Sequence, residues 1–187
     1  MDEAVVRRLI TLAGGQPGAV YGKNGKGHLR QKIGAYNRAA RHAPWVVLVD
    51  LDHEADCPPS LLAGWVRDAA GHLCFRVAVR AVEAWLMADA EALARFLSIP
   101  RSRVPRDPEG LDDPKQVMVD LARGSQRAHI RADMVPRESG GRAVGPAYSS
   151  RLIEYAQEHW RPEVAAQRAA SLRRAMGCLK RLIGSVE

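Results

Sequence analysis

Two acids close the most apolar short run of this chain. The segment Trp45-Val-Val-Leu-Val-Asp50-Leu-Asp52 passes from a run of apolar residues into carboxylates at positions i and i+2. Residues so spaced on an extended strand point the same way, so Asp50 and Asp52 are expected to converge on one point. Two anions held together repel each other, and a divalent cation neutralises them. Mg²⁺ takes one or two carboxylates plus waters and leaves positions for phosphate oxygens. That chemistry suits phosphoryl transfer or phosphodiester cleavage. The competing reading is structural: Asp50 caps the next turn and Asp52 is solvated.

The elements that must hold these acids read as an α/β pattern. Residues 2–13 have Val5, Leu9 and Leu12 at helical spacing and end at Gly14-Gly15, and 28–41 repeats that spacing with Leu29, Ile33, Tyr36 and Ala40. A brief strand is expected at 19–21. Residues 45–51 are short, β-branched and apolar on both faces, as a central parallel strand is. Pro58-Pro59 opens a third helix expected to run to Ala70, 73–79 is a second strand, and 83–97 is helical with a bend near Asp89. Ligands sit beyond the carboxyl ends of parallel strands, which is where Asp50 and Asp52 fall.

After Ile99 the character changes. Pro100, Pro105, Pro108 and Pro114, with several acids, predict a loop or lid, followed by a short helix over 113–123 and a polar, Arg-rich stretch over 124–145. Two helices, 146–159 and 162–183, finish the chain. The last places Leu172, Met176, Leu179 and Ile183 on one stripe, with Arg173, Arg174, Lys180 and Arg181 mostly off it.

Other candidates each carry two readings. Glu83 follows the second strand, where it could be a third carboxylate for the metal or a first-turn acid favoured by the helix dipole. The loop Gly22-Lys-Asn-Gly-Lys-Gly27 fails the P-loop spacing. It could still offer backbone N–H groups and Lys26 to a phosphate, or be a surface turn. His53, Cys57, His72 and Cys74 can be written as zinc ligands, but no Cys-x-x-Cys accompanies them, and Cys74 lies in an apolar strand where a buried thiol is ordinary. No nucleophile elbow or Cys–His pairing stands out.

Lys and Arg number 28 against 21 Asp and Glu, a formal charge of +7, which favours polyanionic partners such as DNA or RNA. No apolar run approaches the roughly 20 residues that span a bilayer, so no membrane role is expected. Three widely spaced cysteines argue against a disulfide framework, and the acids at positions 2 and 3 argue against a secretory leader. A cytoplasmic location is the expectation.

The segments WVVLVDLDHEADCPP, FRVAVRAVEAWLMAD, LDDPKQVMVDLA and VGPAYSSRL resemble an uncharacterised bacterial family of Toprim-like domains, related to overcoming-lysogenization-defect type nucleases. The resemblance implies a Toprim-like α/β parallel-sheet core over 1–99, flanked by helices. Residues 100–187 would form a lid and helical C-terminal extension packed on that core as one unit. It implies a Mg²⁺- or Mn²⁺-dependent nuclease, with Asp50, Asp52 and Glu83 on the metal and Asp50 and Glu83 in catalysis. Lys26, Lys115 and Arg142 would contact nucleic acid. Family members are often encoded beside an ATPase, which implies an ATPase partner and a phage-defence setting; self-association is left open. This chain departs from the Toprim pattern at its start. Met1-Asp2-Glu3 looks like the Glu-Gly-x-x-Asp motif entered at its Asp, without the first strand and its Glu. The alternative is therefore a non-catalytic nucleic-acid-binding or regulatory subunit of an ATPase-containing system.

Overall fold

Two parallel strands, β1 (Trp45–Asp50) and β2 (Leu73–Ala78), run in register from Trp45 opposite Leu73 to Asp50 opposite Ala78. The computed structural model describes residues 1–21, 25–52, 57–137 and 141–185. Among these, the sheet has no third strand. The connection from β1 to β2 carries α3 (Pro58–Trp65), which stops short of Ala70 because Val66 turns to extended backbone.

A strand pair apolar on both faces needs a helical layer on each side, and alternation along the strands decides which residue meets which layer. Val47, Val49, Phe75 and Val77 pack with Leu61 and with Ile33 of α2 (Lys26–Ala39). Cys74 and Ala78, with partly buried Val46 and Leu48, face the larger core. That core includes Val5 and Leu9 of α1 (Asp2–Leu12) and Leu172, Ala175 and Leu179 of α10 (Ala170–Gly184). The stripe of α10 is thus rotated slightly from the expected one: Ala175 and Leu182 are buried, while Met176 and Ile183 are partly so. Residues 19–21 do not form the expected strand. Tyr21 instead stacks on Trp45, centroids 5.4 Å apart, and Trp45 on Tyr36, 5.1 Å apart.

The remaining helices are α4 (Val82–Ala88), α5 (Ala90–Leu97), α6 (Pro114–Arg123), α7 (Ala128–Met134), α8 (Tyr148–Glu154) and the single turn α9 (Pro162–Ala165). A π-helical turn, Tyr155–His159, follows α8. Every residue of α4 is buried. Trp85 of α4 packs in one core with Met118, Tyr155, Trp160 and Leu172, so the chain's later half covers the strands. Each such side chain contributes roughly 1.5–3 kcal/mol by leaving water. Their polar atoms are satisfied: the Trp85 indole N–H donates to Ser171 Oγ at 2.6 Å and that of Trp160 to the Trp85 carbonyl at 3.2 Å.

The bend expected near Asp89 has a definite cause. Asp89, fully buried, ends α4 and caps α5 by accepting from the Ala92 N–H. It also holds the Arg161 guanidinium through bonds of 2.8 and 2.7 Å. Burial pushes its pKa up, but the Arg161 and Ala92 hydrogen bonds outweigh burial and hold it below its ordinary value.

The proline-rich stretch 99–114, expected as a loop or lid, is fastened rather than free to swing. Arg168 donates to the carbonyls of Ala88, Pro105 and Arg106. Glu109 accepts from the N–H groups of Ala170 and Ser171 and from the Ser171 hydroxyl. These bonds satisfy donors that the first turn of α10 leaves orphaned. They also explain why 162–183 is not the one helix expected, since extended Ala169 breaks it and Glu109 caps the new start. Helix α7 falls in the stretch expected to be irregular, anchored by buried Ile130 and Met134.

Candidate functional site

Both strands end toward the same place, and each ends in a constrained residue. Asp52 and Arg80 adopt φ of 50° and 60°, a left-handed conformation uncommon outside glycine. They bond each other: the Asp52 N–H donates to the Arg80 carbonyl at 2.9 Å, and the Arg80 guanidinium to the Asp52 carbonyl at 3.0 Å. Strain of this kind persists only where surrounding contacts over-determine it.

This local geometry differs from the extended i, i+2 arrangement expected of the two carboxylates. The strand stops at Asp50, and the left-handed turn at Asp52 breaks the extended alternation on which i, i+2 convergence depends. Asp52 Oδ2 instead accepts from the Lys26 ammonium at 3.0 Å, and the same ammonium donates to the Asp50 carbonyl at 2.6 Å. Lys26, expected as a phosphate ligand, thus serves as counter-ion to Asp52. Gly22, Lys23 and Asn24 of its loop, and His53 of the zinc reading, lie outside the described residues.

Asp50 turns inward. Its Oδ1 accepts from the Val82 N–H at 3.0 Å, in the first turn of α4 rather than in the turn that follows the strand. Its second role is electrostatic. Burial first, then the charges of Asp2, Glu83 and Asp52, push its pKa from the ordinary 3.8 up to about 7, against the lowering by the Val82 hydrogen bond.

Glu83, on the turn that Asp50 caps, is 1% exposed. Its Oε1 accepts from the Tyr148 hydroxyl at 3.1 Å, while among the described residues Oε2 has no hydrogen-bond partner. Burial raises its pKa; its own backbone N–H, the Lys115 charge and Tyr148 pull the other way, and Asp2 adds to the rise. Tyr148 is held protonated by burial and by the Glu83 charge, so it remains a donor.

The partners of Glu83 arrive by separable devices. Asp2 sits in the first turn of α1, where the helix dipole favours an acid. Asp113 caps α6 by accepting from the Gln116 N–H at 2.8 Å, and Pro114 opens the helix. That start sets Lys115, exposed at its own position, within electrostatic reach of Glu83. Gly145 lies flat on the end of α7: a Cβ there would stand 2.4 Å from the Asp133 carbonyl oxygen and 2.7 Å from the Val135 nitrogen. The glycine lets the Val-Gly-Pro-Ala-Tyr148 segment pack closely enough to send Tyr148 to Glu83. Arg142, exposed in the same segment, makes no contact with the carboxylates among the described interactions.

The structure therefore brings together Asp50, Glu83 and Lys115, adds Asp2 and Tyr148, and sets Asp52 with Lys26 at the rim. Asp2 carried no local signal beyond a first-turn acid. Tyr148 was visible only as the residue closing a glycine–proline segment. Among the described residues, the ligand atoms of Asp2, Asp50 and Glu83 do not all lie within 4.8 Å of one another. This is a looser arrangement than a closed cage. Glu154, Glu158 and His159, on α8 and the π-helical turn, do meet that spacing, but Glu154 is already paired with Arg151 at 2.7 Å.

This is an α/β protein in which a small parallel sheet is flanked by helices. No family model, no curated protein and no solved structure matches the chain.

Proposed function

We propose that this protein is a Toprim-like Mg²⁺- or Mn²⁺-dependent nuclease that hydrolyses phosphodiester bonds of DNA or RNA at the cluster of Asp50, Glu83 and Asp2. The observation that carries the reading is Glu83: a carboxylate withdrawn from water with one oxygen unpartnered, beside Asp50 and Asp2. A buried polar atom without a partner costs about 1–3 kcal/mol, and like charges add to that cost. A divalent cation is the ligand that removes both penalties, and the donor set, all carboxylate oxygen, is what Mg²⁺ and Mn²⁺ prefer.

Asp50 and Glu83 would hold the cation, with Asp2 beside them. When bound, it supplies Lewis-acid polarisation of a phosphate oxygen. Tyr148 fixes the orientation of Glu83 and leaves Oε2 as the open oxygen. Without a cation the pKa of Asp50 is pushed up to about 7; a bound cation would hold Asp50 ionised as a ligand. Lys115 and the exposed Arg142 supply positive charge at the approach, and the excess of 28 basic over 21 acidic residues suits a polyanionic substrate. An ATPase partner and a phage-defence role belong to the same proposal. The reading as a non-catalytic nucleic-acid-binding or regulatory subunit draws on one observation, that Asp52 is already neutralised by Lys26.

The test is cleavage of single- and double-stranded DNA and RNA with Mg²⁺ or Mn²⁺, run beside Asp50→Asn and Glu83→Gln, with a Mn²⁺ titration of each protein. Metal-dependent cleavage lost in both variants supports the nuclease. Metal binding without cleavage favours the regulatory subunit, and no metal binding overturns the site.

A further inference from the structure

The helical layers on the two faces of the sheet reach further than the two strands between them. On one edge of β1 lies β2, and on the other a cavity of about 920 Å³. Val6 and Ile10 of α1 with Ile183 of α10 line one side of it, Leu29 and Tyr36 of α2 the opposite side, and β1 itself lies between. Residues 14–21 make a third side, held where the Arg7 guanidinium donates to the Gly18 carbonyl at 3.3 Å and where Tyr21 stacks on Trp45. Val20 and Tyr21 on that side are exposed despite their apolar bulk.

In a parallel ladder, alternate residues of a strand bond to one neighbour. The Trp45 N–H donates to the His72 carbonyl and the Leu51 N–H to the Ala78 carbonyl, both at 2.9 Å, so the odd-numbered residues serve β2. Val46, Leu48 and Asp50 then turn their N–H and C=O groups to the cavity side. The Asp50 carbonyl bears this out, since the Lys26 ammonium takes it. The backbone groups of Val46 and Leu48 meet no donor or acceptor among the described residues, where no third strand lies beside them. A row of donor and acceptor, repeating every two residues or about 6.6 Å, thus runs along the floor of an apolar groove. Backbone groups withdrawn from water in this way call for partners.

We propose that this groove receives an extended, apolar segment of a partner polypeptide, which adds to the free edge of β1 as a third strand. Another strand is the group that carries both backbone functions at the matching repeat. Its successive side chains would point in turn to the α1–α10 side and to the α2 side, so the segment is apolar on both faces, as β1 and β2 are. The charged residues of the lining select further. Of Asp2, Glu3 and Arg7, Arg7 is paired with Glu3 at 2.9 Å, and Asp2 forms no ion pair among the described residues. In a protein of formal charge +7 the groove is therefore net acidic, which suits a segment carrying Lys or Arg and disfavours a nucleic-acid backbone. A second copy fits poorly, because its own β1 is walled by the same helices and two recessed edges do not meet. The free edge is there whether or not the carboxylates hold a metal.

The test is amide hydrogen exchange, followed by NMR on the full chain with and without capped peptides Lys-Val-X-Val-X-Val-Lys, X being Thr, Leu or Tyr. In the protein alone, β2 should protect the Val47 and Val49 amides while those of Val46 and Leu48 exchange fast. Peptide at about ten times its Kd should slow Val46 and Leu48 roughly tenfold, and Glu in place of both Lys should weaken binding. Val46→Pro removes a donor that faces the groove and not the β2 ladder, a position where proline is tolerated. It should keep the wild-type far-UV spectrum while peptide affinity falls about 5-fold or more. Three results overturn the proposal: Val46 and Leu48 amides already protected in the protein alone, protection that rises with protein concentration and so marks a second copy, or no slowing by any of the peptides up to about 1 mM.

Discussion

Asp50→Asn should stabilise the fold at neutral and alkaline pH. The raised pKa means that the folded protein binds the proton more tightly than the unfolded chain does. Between the ordinary 3.8 and about 7 the native state therefore holds more protons, and stability falls as pH rises through that window. Below it Asp50 is protonated in both states and the penalty is absent; above about 7 it is complete. At ~1.4 kcal/mol per pKa unit, the full penalty is on the order of 4 kcal/mol. Asparagine keeps an oxygen for the Val82 N–H, so most of this should be recovered, roughly 2–4 kcal/mol. For a chain of this size that is roughly 4–16 °C in Tm. The assay is thermal and urea denaturation of both proteins at pH 5 and pH 8, with chelator present. The reasoning requires a gain at pH 8 that shrinks at pH 5. A variant less stable than wild type at pH 8, or a gain equal at both pH values, refutes the picture of a repelled buried carboxylate. Mg²⁺ or Mn²⁺ at pH 8 should raise the Tm of the wild type and leave Asp50→Asn nearly unmoved.

Tyr148→Phe removes the donor that orients Glu83, and a lost orienting hydrogen bond typically costs 10–100-fold in metal affinity; Mn²⁺ titration should show about 10-fold, and an unchanged Kd would detach Tyr148 from the site. Gly145→Ala should destabilise by about 1–3 kcal/mol, because its Cβ meets the Asp133 carbonyl oxygen at 2.4 Å; urea midpoints test the loss, and a neutral substitution would show that the segment shifts freely. Asp89→Ala leaves Arg161 and the start of α5 without their anion, a loss of about 3–5 kcal/mol for a fully buried partner and somewhat less here because Arg161 can return to water. Since the pKa of Asp89 is lowered, its contribution is present at neutral pH and lost as pH falls below about 4; the variant should therefore differ most from wild type at pH 7 and least at acid pH.

What the sequence revealed and what it hid follow physical lines. Both strands could be read because a short β-branched run bounded by polar residues has few other uses. Asp50 and Glu83 could be read because the end of a parallel strand and the helix after it have a predictable place. Asp52 could not, since nothing local announces that an aspartate will take positive φ; that conformation depends on Arg80, distant in sequence, which bonds it. The bonds of Lys26 to Asp52 and to the Asp50 carbonyl are likewise announced by nothing local. Tyr148 reaches Glu83 across 65 residues of sequence, and Glu109 caps α10 from 61 residues away. Contacts of that range leave no periodic trace. Helix α7 was hidden because only Ile130 and Met134 of its residues are buried, too few to set a period. Its existence rests on tertiary packing.

Two carboxylates are almost equally withdrawn from water, and the contrast between them is the strongest argument for the site. Asp89 is 0% exposed and Glu83 is 1% exposed. Around Asp89 every demand is met: a guanidinium on both oxygens, the N–H groups of Ala92 and Arg161, and a pKa below the ordinary value. The same fold leaves Glu83 with one oxygen bare, two acids beside it, a single nearby lysine and a raised pKa. Nothing in backbone geometry requires this, since glutamine would fill the same volume, accept from Tyr148 and carry no charge. A residue kept ionisable where ionisation is penalised is the mark of a position selected for what it binds or transfers. Asp89 is explained by the stability of the fold; a ligand at Glu83 is what we propose to explain the contrast.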